Sequence, residues 1–339
     1  MTKPPTLLIV SIDTEEDDWR PRRDGVTVEN IRELTRLDAL FQRLGVRATY
    51  FTTYQVALHD WAAAILRELH GAGAELGAHL HPWNTPPLDE PFVPRNTMLK
   101  NLPAALQLAK LERLTATLRE AFGGRPVAFR AGRYGLGPDT VTALIQCGYR
   151  VDSSVTPFIS WEAYDDGPTF IRAPIHQYRL AGDADVCIPQ PGGALVELPL
   201  SVGYNRPPSR AWASVYRALS TPALRPFHLR GIASRAGIVK RIALSPETDS
   251  CADMLTLSRH LIDAGVRYLH LFLHSPSLCP GLSPFTPDRA GVEGMYRSIA
   301  SYVEGVGRVT PLRFVTVSEA ATLLDTAGSS GSVAAASRS

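Results

Sequence analysis

Cysteine is sparse and scattered. The four residues Cys147, Cys187, Cys251 and Cys279 form no CxxC pair, which excludes a zinc knuckle and a disulfide framework and suits a reducing compartment. Neither sign of charge dominates: 35 Lys and Arg against 33 Asp and Glu leave a net +2, so bulk electrostatics give no reason to expect nucleic acid as a partner. Long apolar runs are missing, and none approaches the roughly 18 residues of a membrane span. The N-terminal run TLLIV passes directly into acids, without a signal-peptide h-region or cleavage site. A cytoplasmic protein with no transmembrane segment is the expectation. No internal repeat stands out, and no Gly-rich dinucleotide fingerprint follows the first apolar run, which disfavours a doubly wound open sheet.

What is present is a regular alternation. With 339 residues and 45% hydrophobic content, the chain can bury a large core, as one α/β barrel or two modest domains. Short β runs at 6–13, 47–53, 74–79, 126–130, 149–152, 194–199, 268–274 and 312–316 alternate with amphipathic helices at about 28–44, 60–71, 100–122, 138–147, 247–264 and 288–305. That is the pattern of a parallel sheet with crossover helices, here a (β/α) barrel. In the helix over 28–44, Ile31, Leu34, Leu37, Phe41 and Leu44 make one apolar stripe that Gly45 ends. A single domain over 1–325 is expected, with an insertion near 201–246 and a disordered tail over 326–339 (AGSSGSVAAASRS). The proline-rich segment 82–98 reads as a wall or lid.

Two clusters carry the chemistry. One is SIDTEEDD, with Asp13, Glu15 and Asp17, and the other is AHLH, with His79 and His81. Residues two apart on an extended strand share a face, so Asp13 with Glu15, and His79 with His81, can converge on one ion. The alternative for the acids is a solvated charge run. Asp13, His79, Arg130, Asp152 and His274 all stand at C-terminal strand edges, where a barrel keeps its active site. His270 shares a strand face with His274, but reads as a buried core histidine rather than a ligand. Within the insertion, Arg225 to Arg241 holds five basic residues and no acid. It reads as a solvated helix, or else as a weak contact for phosphate or an anionic membrane surface.

Taken in order, the motifs SIDTEED, ELGAHLHPW, FRAGRYG, YRVDSSVTP and LHLFLHSPS resemble those of the polysaccharide deacetylase family, carbohydrate esterase family four with its NodB-like homology domain, over about residues 6–320. HLHPW together with HSPSL is most similar to the WalW-type branch. The resemblance implies a distorted seven-stranded barrel and metal-assisted hydrolysis of an N-acetyl or O-acetyl group on a carbohydrate. A divalent cation is implied, zinc being the expected ion, with Glu15, His79 and His81 as its ligands. Asp13 is then the general base and His274 the general acid. Arg130 pairs with and aims Asp13, while Asp152 hydrogen-bonds His274 and raises its pKa. Trp83, Arg133 and Tyr134 would contact substrate.

Three departures from the family pattern stand out. Glu15 replaces the usual second Asp, leaving Asp17 as a rival ligand; Trp83 stands where a second metal histidine is usual, so His81 must serve; and RAGRY puts Arg133 where an aromatic residue is common. A small nucleotide- or lipid-linked amino sugar is the expected substrate. The competing expectations are a metal-free hydrolase of ureide or imide amides on the same barrel, an amidohydrolase or phosphoesterase barrel, and a non-catalytic carbohydrate-binding relic. Oligomeric state is not legible.

Overall fold

The computed structural model describes residues 4–219 and 238–336. Most of the basic stretch 225–241 lies outside the described residues. The core is a sheet of nine strands: β1 (Thr6–Thr14), β2 (Thr49–Thr52), β3 (Glu75–Leu80), β4 (Ala128–Ala131), β5 (Val151–Asp152), β6 (Tyr178–Leu180), β7 (Leu195–Glu197), β10 (Tyr268–His274) and β11 (Leu312–Phe314). Their order is β10-β1-β2-β3-β4-β5-β7-β6, with β11 beside the start of β1. All neighbours are parallel except β6 and β7. This is the (β/α) barrel expected from the alternation, with nine strands among the described residues where the resemblance implied seven. Every residue of β1 is buried, as befits a central strand covered on both faces.

Helices return the chain between strands: α1 (Leu34–Leu44), α2 (Tyr54–Leu58), α3 (Asp60–Gly71), α4 (Ala104–Phe122), α5 (Pro138–Gln146), α6 (Ser209–Ala218), α7 (Cys251–Asp263), α8 (Arg289–Gly307) and α9 (Val317–Ala336). The stripe expected over 28–44 begins as a 3-10 turn at Glu29–Glu33 and becomes α-helical at Leu34. Leu34, Leu37, Leu40 and Phe41 face the core, and Gly45 closes the helix at φ 72°. The backbone of α9 runs through Ala336, so it takes in most of the stretch read from composition as a tail.

The insertion forms an antiparallel ribbon of β8 (Val202–Tyr204) and β9 (Arg241–Ala243) with α6 packed beside it. This ribbon lies on the open side of the ladder, whose edge strands are β10 and β6. Leu200 N donates to Val155 O (2.9 Å), Phe272 N to Leu244 O (3.0 Å) and His270 N to Ser201 Oγ (2.9 Å). Among the described residues no helix is long and apolar enough to cross a membrane.

Candidate metal and hydrolytic site

The strand register collects the motif residues in one row. Asp13 stands opposite His274 across β1 and β10, and His79 opposite Arg130 across β3 and β4. They open onto a cleft of about 920 Å³, walled on one side by the turn after β1 (Asp18, Trp19, Arg20) and on another by the ribbon of β8 and β9.

Glu15, His79 and His81 bring one ligand atom each to within 4.8 Å of one another, and all three are buried. Glu15 Oε2 lies 3.5 Å from His79 Nε2 and 3.1 Å from His81 Nε2. The other ring nitrogens are already committed. His79 Nδ1 donates to Arg130 O (3.0 Å), a carbonyl that can only accept, and His81 Nδ1 donates to a Glu16 carboxylate oxygen (2.7 Å). Each contact fixes the proton on Nδ1 and leaves the Nε2 lone pair facing Glu15, as second partners do for metal-binding histidines. One carboxylate and two imidazole nitrogens form a donor set for a first-row divalent ion, with positions left over for water and substrate. This chain's residues fit the implied metal.

Without a cation, two carboxylates crowd His81. Burial pulls its pKa down, but the charge of Glu16 and the contacts with Glu15 outweigh this and push it up to about 10. Burial raises Glu15, yet hydrogen bonds with His79 and His81 and the charge of His274 hold it well below the usual carboxylate range. A bound cation would take the place of those protons.

Asp13 is held from behind. Arg130, fully buried, donates to Asp13 Oδ1 (2.5 Å), Ser153 O (2.9 Å) and Ser11 Oγ (2.9 Å), and its guanidinium lies over the Phe51 ring at 4.4 Å. This leaves Asp13 Oδ2 facing the cleft, 3.7 Å from His274 Nε2. His270, also fully buried, accepts at Nε2 from the Ser11 hydroxyl (2.8 Å). Burial and the charge of Arg130 push its pKa well down, so it is a neutral core histidine.

The expected partner of His274 is displaced. Asp152 does not reach it. The Asp152 carboxylate accepts from Ser154 N (3.0 Å) and Ser154 Oγ (2.8 Å) and faces Glu197 across β5 and β7. Burial, then the other carboxylate, raises Glu197 well above its ordinary range, and burial raises Asp152. Two buried carboxylates facing each other cannot both ionise at low cost, which is why both are raised. Glu247, from the end of the insertion, takes the place at His274: its Oε2 is 2.9 Å from His274 Nδ1. Burial lowers His274, but Glu247, with Glu15 and Asp13 behind it, pushes it up to about 10.

The remaining expected residues divide. Asp17 is no rival ligand, because its carboxylate accepts from Glu29 N (2.9 Å), Asn30 N (2.8 Å) and Asn30 Nδ2 (2.7 Å) and caps the turn that leads into α1. Trp83 lines the cleft, but it is 7% exposed and its ring stacks on His81 at 4.2 Å. It braces the histidine more than it offers a face to a sugar. Arg133 pairs with Asp165 (2.6 Å). Tyr134 lines the cleft and stacks on Trp161 at 5.0 Å. Trp19, absent from the motifs, packs edge-on against His274 (5.1 Å) and is 40% exposed at the cleft. A tryptophan amid acids and basic residues was the one available signal for it. Glu247, 27 positions before His274 and beyond an irregular insertion, gave none.

Residues 29–151 match the model of the polysaccharide deacetylase family, a span that holds His79, His81 and Arg130. No curated protein sequence matches the chain. A candidate polysaccharide deacetylase from Mycobacterium smegmatis shares the fold with a TM-score of 0.54 at 19% identity, covering 97% of this chain and 96% of its own. A candidate glycoside hydrolase/deacetylase from Parabacteroides distasonis superposes with a TM-score of 0.62 at 14% identity, covering 96% of this chain and 73% of its own. The family match spans residues 29–151 of the 339, and outside it the likeness to these solved structures is one of fold.

Proposed function

We propose that this chain is a divalent-metal-dependent deacetylase that removes an N-acetyl or O-acetyl group from a small amino sugar. The observation that carries the reading is the meeting of Glu15, His79 and His81 Nε2 within 4.8 Å, beside an Asp13 whose free oxygen faces His274. A divalent ion bound there supplies Lewis-acid polarisation of the acyl carbonyl and a lowered pKa for water. Zinc is the ion we expect, given two imidazoles and one carboxylate.

This chain's residues then divide the proton work. Asp13 Oδ1 stays on Arg130 while Oδ2 takes a proton from the attacking water. Water oxygen bonds to the acyl carbon and the C–N bond breaks. His274, protonated at Nε2 and anchored at Nδ1, gives its proton to the leaving nitrogen. For an O-acetyl group, the leaving oxygen receives it.

A nucleotide- or lipid-linked sugar is the substrate class we favour. Of the cations lining the cleft, Arg133 and Lys240 pair with Asp165 and with Asp249 and Asp253. Arg20 and Arg241 form no ion pair among the described residues, which suits a phosphate-bearing head group. Unpaired Cys147, Cys187, Cys251 and Cys279 support the reducing cytoplasm as its compartment. The test is acetate release from a panel of N-acetylated sugars and nucleotide sugars with zinc-loaded and chelator-stripped protein. Release that needs metal supports the reading; no release from any member by metal-loaded protein overturns it.

A further inference from the structure

Charge is unevenly placed along this chain. Glu197 and Glu247 are consecutive acids in the sequence, and the stretch between them holds eight of the 35 Lys and Arg. The near-neutral total therefore conceals a basic insertion on a body with an excess of acid. In the part of it that α6 begins, Arg206, Arg210 and Arg217 are exposed, and none forms an ion pair among the described residues. Arginines elsewhere on the surface do: Arg32, Arg36 and Arg47 pair with Glu29, Glu293 and Glu319.

The helix is also short of burial. No residue of α6 is fully buried; Trp212, Ala213 and Tyr216, with Leu219 just after them, lean on the cluster of Phe158, Tyr204 and Val239. Helical spacing puts Arg210, Ser214 and Arg217 in one row of the opposite side, with Ala211, Val215 and Ala218 in the row beside it. There Val215 is 41% exposed, and Ile238, next in the chain to the clustered Val239, is 50% exposed. Such aliphatic side chains gain nothing from a hydrophilic polyanion. At a bilayer they enter the headgroup boundary, while the unneutralised guanidinium groups around them meet lipid phosphate.

This face adjoins the cleft. Tyr216, flanked in sequence by the exposed Val215 and Arg217, lines it, as does Arg241, whose guanidinium lies over the Tyr216 ring at 5.3 Å. We propose that α6 and Ile238 form a docking face for an anionic lipid bilayer, which sets the rim of the cleft at the membrane surface. Docking stands apart from the deacetylase reading; only its consequence, that a lipid-linked sugar meets the cleft in place, rests on that reading.

Co-sedimentation of full-length, zinc-loaded protein with lipid vesicles is the test. Phosphatidylcholine vesicles containing about one-third phosphatidylglycerol should bind at least about 10-fold more tightly than pure phosphatidylcholine, and added salt should weaken the binding. Arg210→Gln combined with Arg217→Gln should cost about 25-fold, at about fivefold for each charge, and Ile238→Ser should cost about fivefold. Equal binding to both vesicle types, binding to neither, or variants that bind as wild type does would overturn the proposal. So would tight binding of poly(U) RNA that Ile238→Ser leaves intact while vesicles bind weakly, since the face then belongs to nucleic acid. Acetate release from soluble N-acetylated sugars should be unchanged in these variants; should wild type release none, the deacetylase reading fails alone and the vesicle result stands. If the double variant does not fold, Arg210→Gln by itself carries the comparison at about fivefold.

Discussion

Each metal-facing histidine takes its tautomer from the contact on its far side. His79 leans on a carbonyl and His81 on the Glu16 carboxylate. His79→Ala and His81→Ala should each lose bound zinc and activity together, measured by elemental analysis of protein purified in excess zinc. Glu16→Gln should keep the site but weaken zinc by about 10- to 100-fold in a competition titration, the usual scale for a lost second partner. Asp17→Ala should leave zinc in place and lower stability by about 1–3 kcal/mol in chemical denaturation, because one buried and one partly buried backbone donor lose their acceptor. Asp13, Glu15, His79 and His81 were legible because period-2 spacing at a strand end places side chains on one face. Glu16 was not. It sits between two site residues, and only the turn after β1 aims it at the back of His81. The pH dependence has a definite sign. His274 is raised from 6.5 to about 10, so in zinc-free protein the energy of its pairing with Glu247 is fully present below about pH 6.5. It is lost as pH rises toward 10. Denaturation of wild type and Glu247→Gln from pH 6 to 10 should show the steeper fall in wild type.

Between elements, the site depends on close approach. β4 ends in Ala131, and a Cβ at Gly132 would meet His81 Cδ2 at 2.5 Å and Leu80 O at 2.6 Å. Gly132→Ala should therefore push His81 off the ligand position and reduce zinc binding, with the far-ultraviolet circular dichroism spectrum unchanged. The segment 82–98 is held by a similar fit. Lys110 on α4 is buried and donates to Pro82 O (2.9 Å), Thr85 O (2.8 Å) and Pro87 O (2.5 Å) while pairing with Glu90 (3.1 Å). The amphipathic pattern located α4 but could not show that one of its lysines turns inward to organise a proline-rich wall. Long strands and helices were read from periodicity to within a few residues. β6, β8 and β9, three residues each, were not, because they stand in irregular sequence without the flanking helices and apolar runs that marked the equally short β5, β7 and β11. That blindness also hid Glu247, whose position depends on the ribbon.

At the scale of the whole molecule, base and acid share the parallel ladder, but the acid's outer side, with its Glu247 partner, rests on a different kind of backbone. Base and metal ligands sit along β1, β2, β3 and β4, a continuous parallel ladder. The acid sits on β10, which is laddered to β1 on one edge and on the other meets the residues flanking the ribbon through isolated hydrogen bonds from His270 and Phe272. Ladders of that length open only with global unfolding, whereas isolated bonds open locally. Amide protons of Ile12, Asp13 and Ala78 should therefore exchange with deuterium orders of magnitude more slowly than those of Val202–Tyr204 and Leu244. Such a seam lets the chain vary half of its chemistry without disturbing the other half. A change in the length or composition of the ribbon can reshape the sugar side of the cleft and retune the proton donor, while the ion's three ligands keep the positions their ladder gives them.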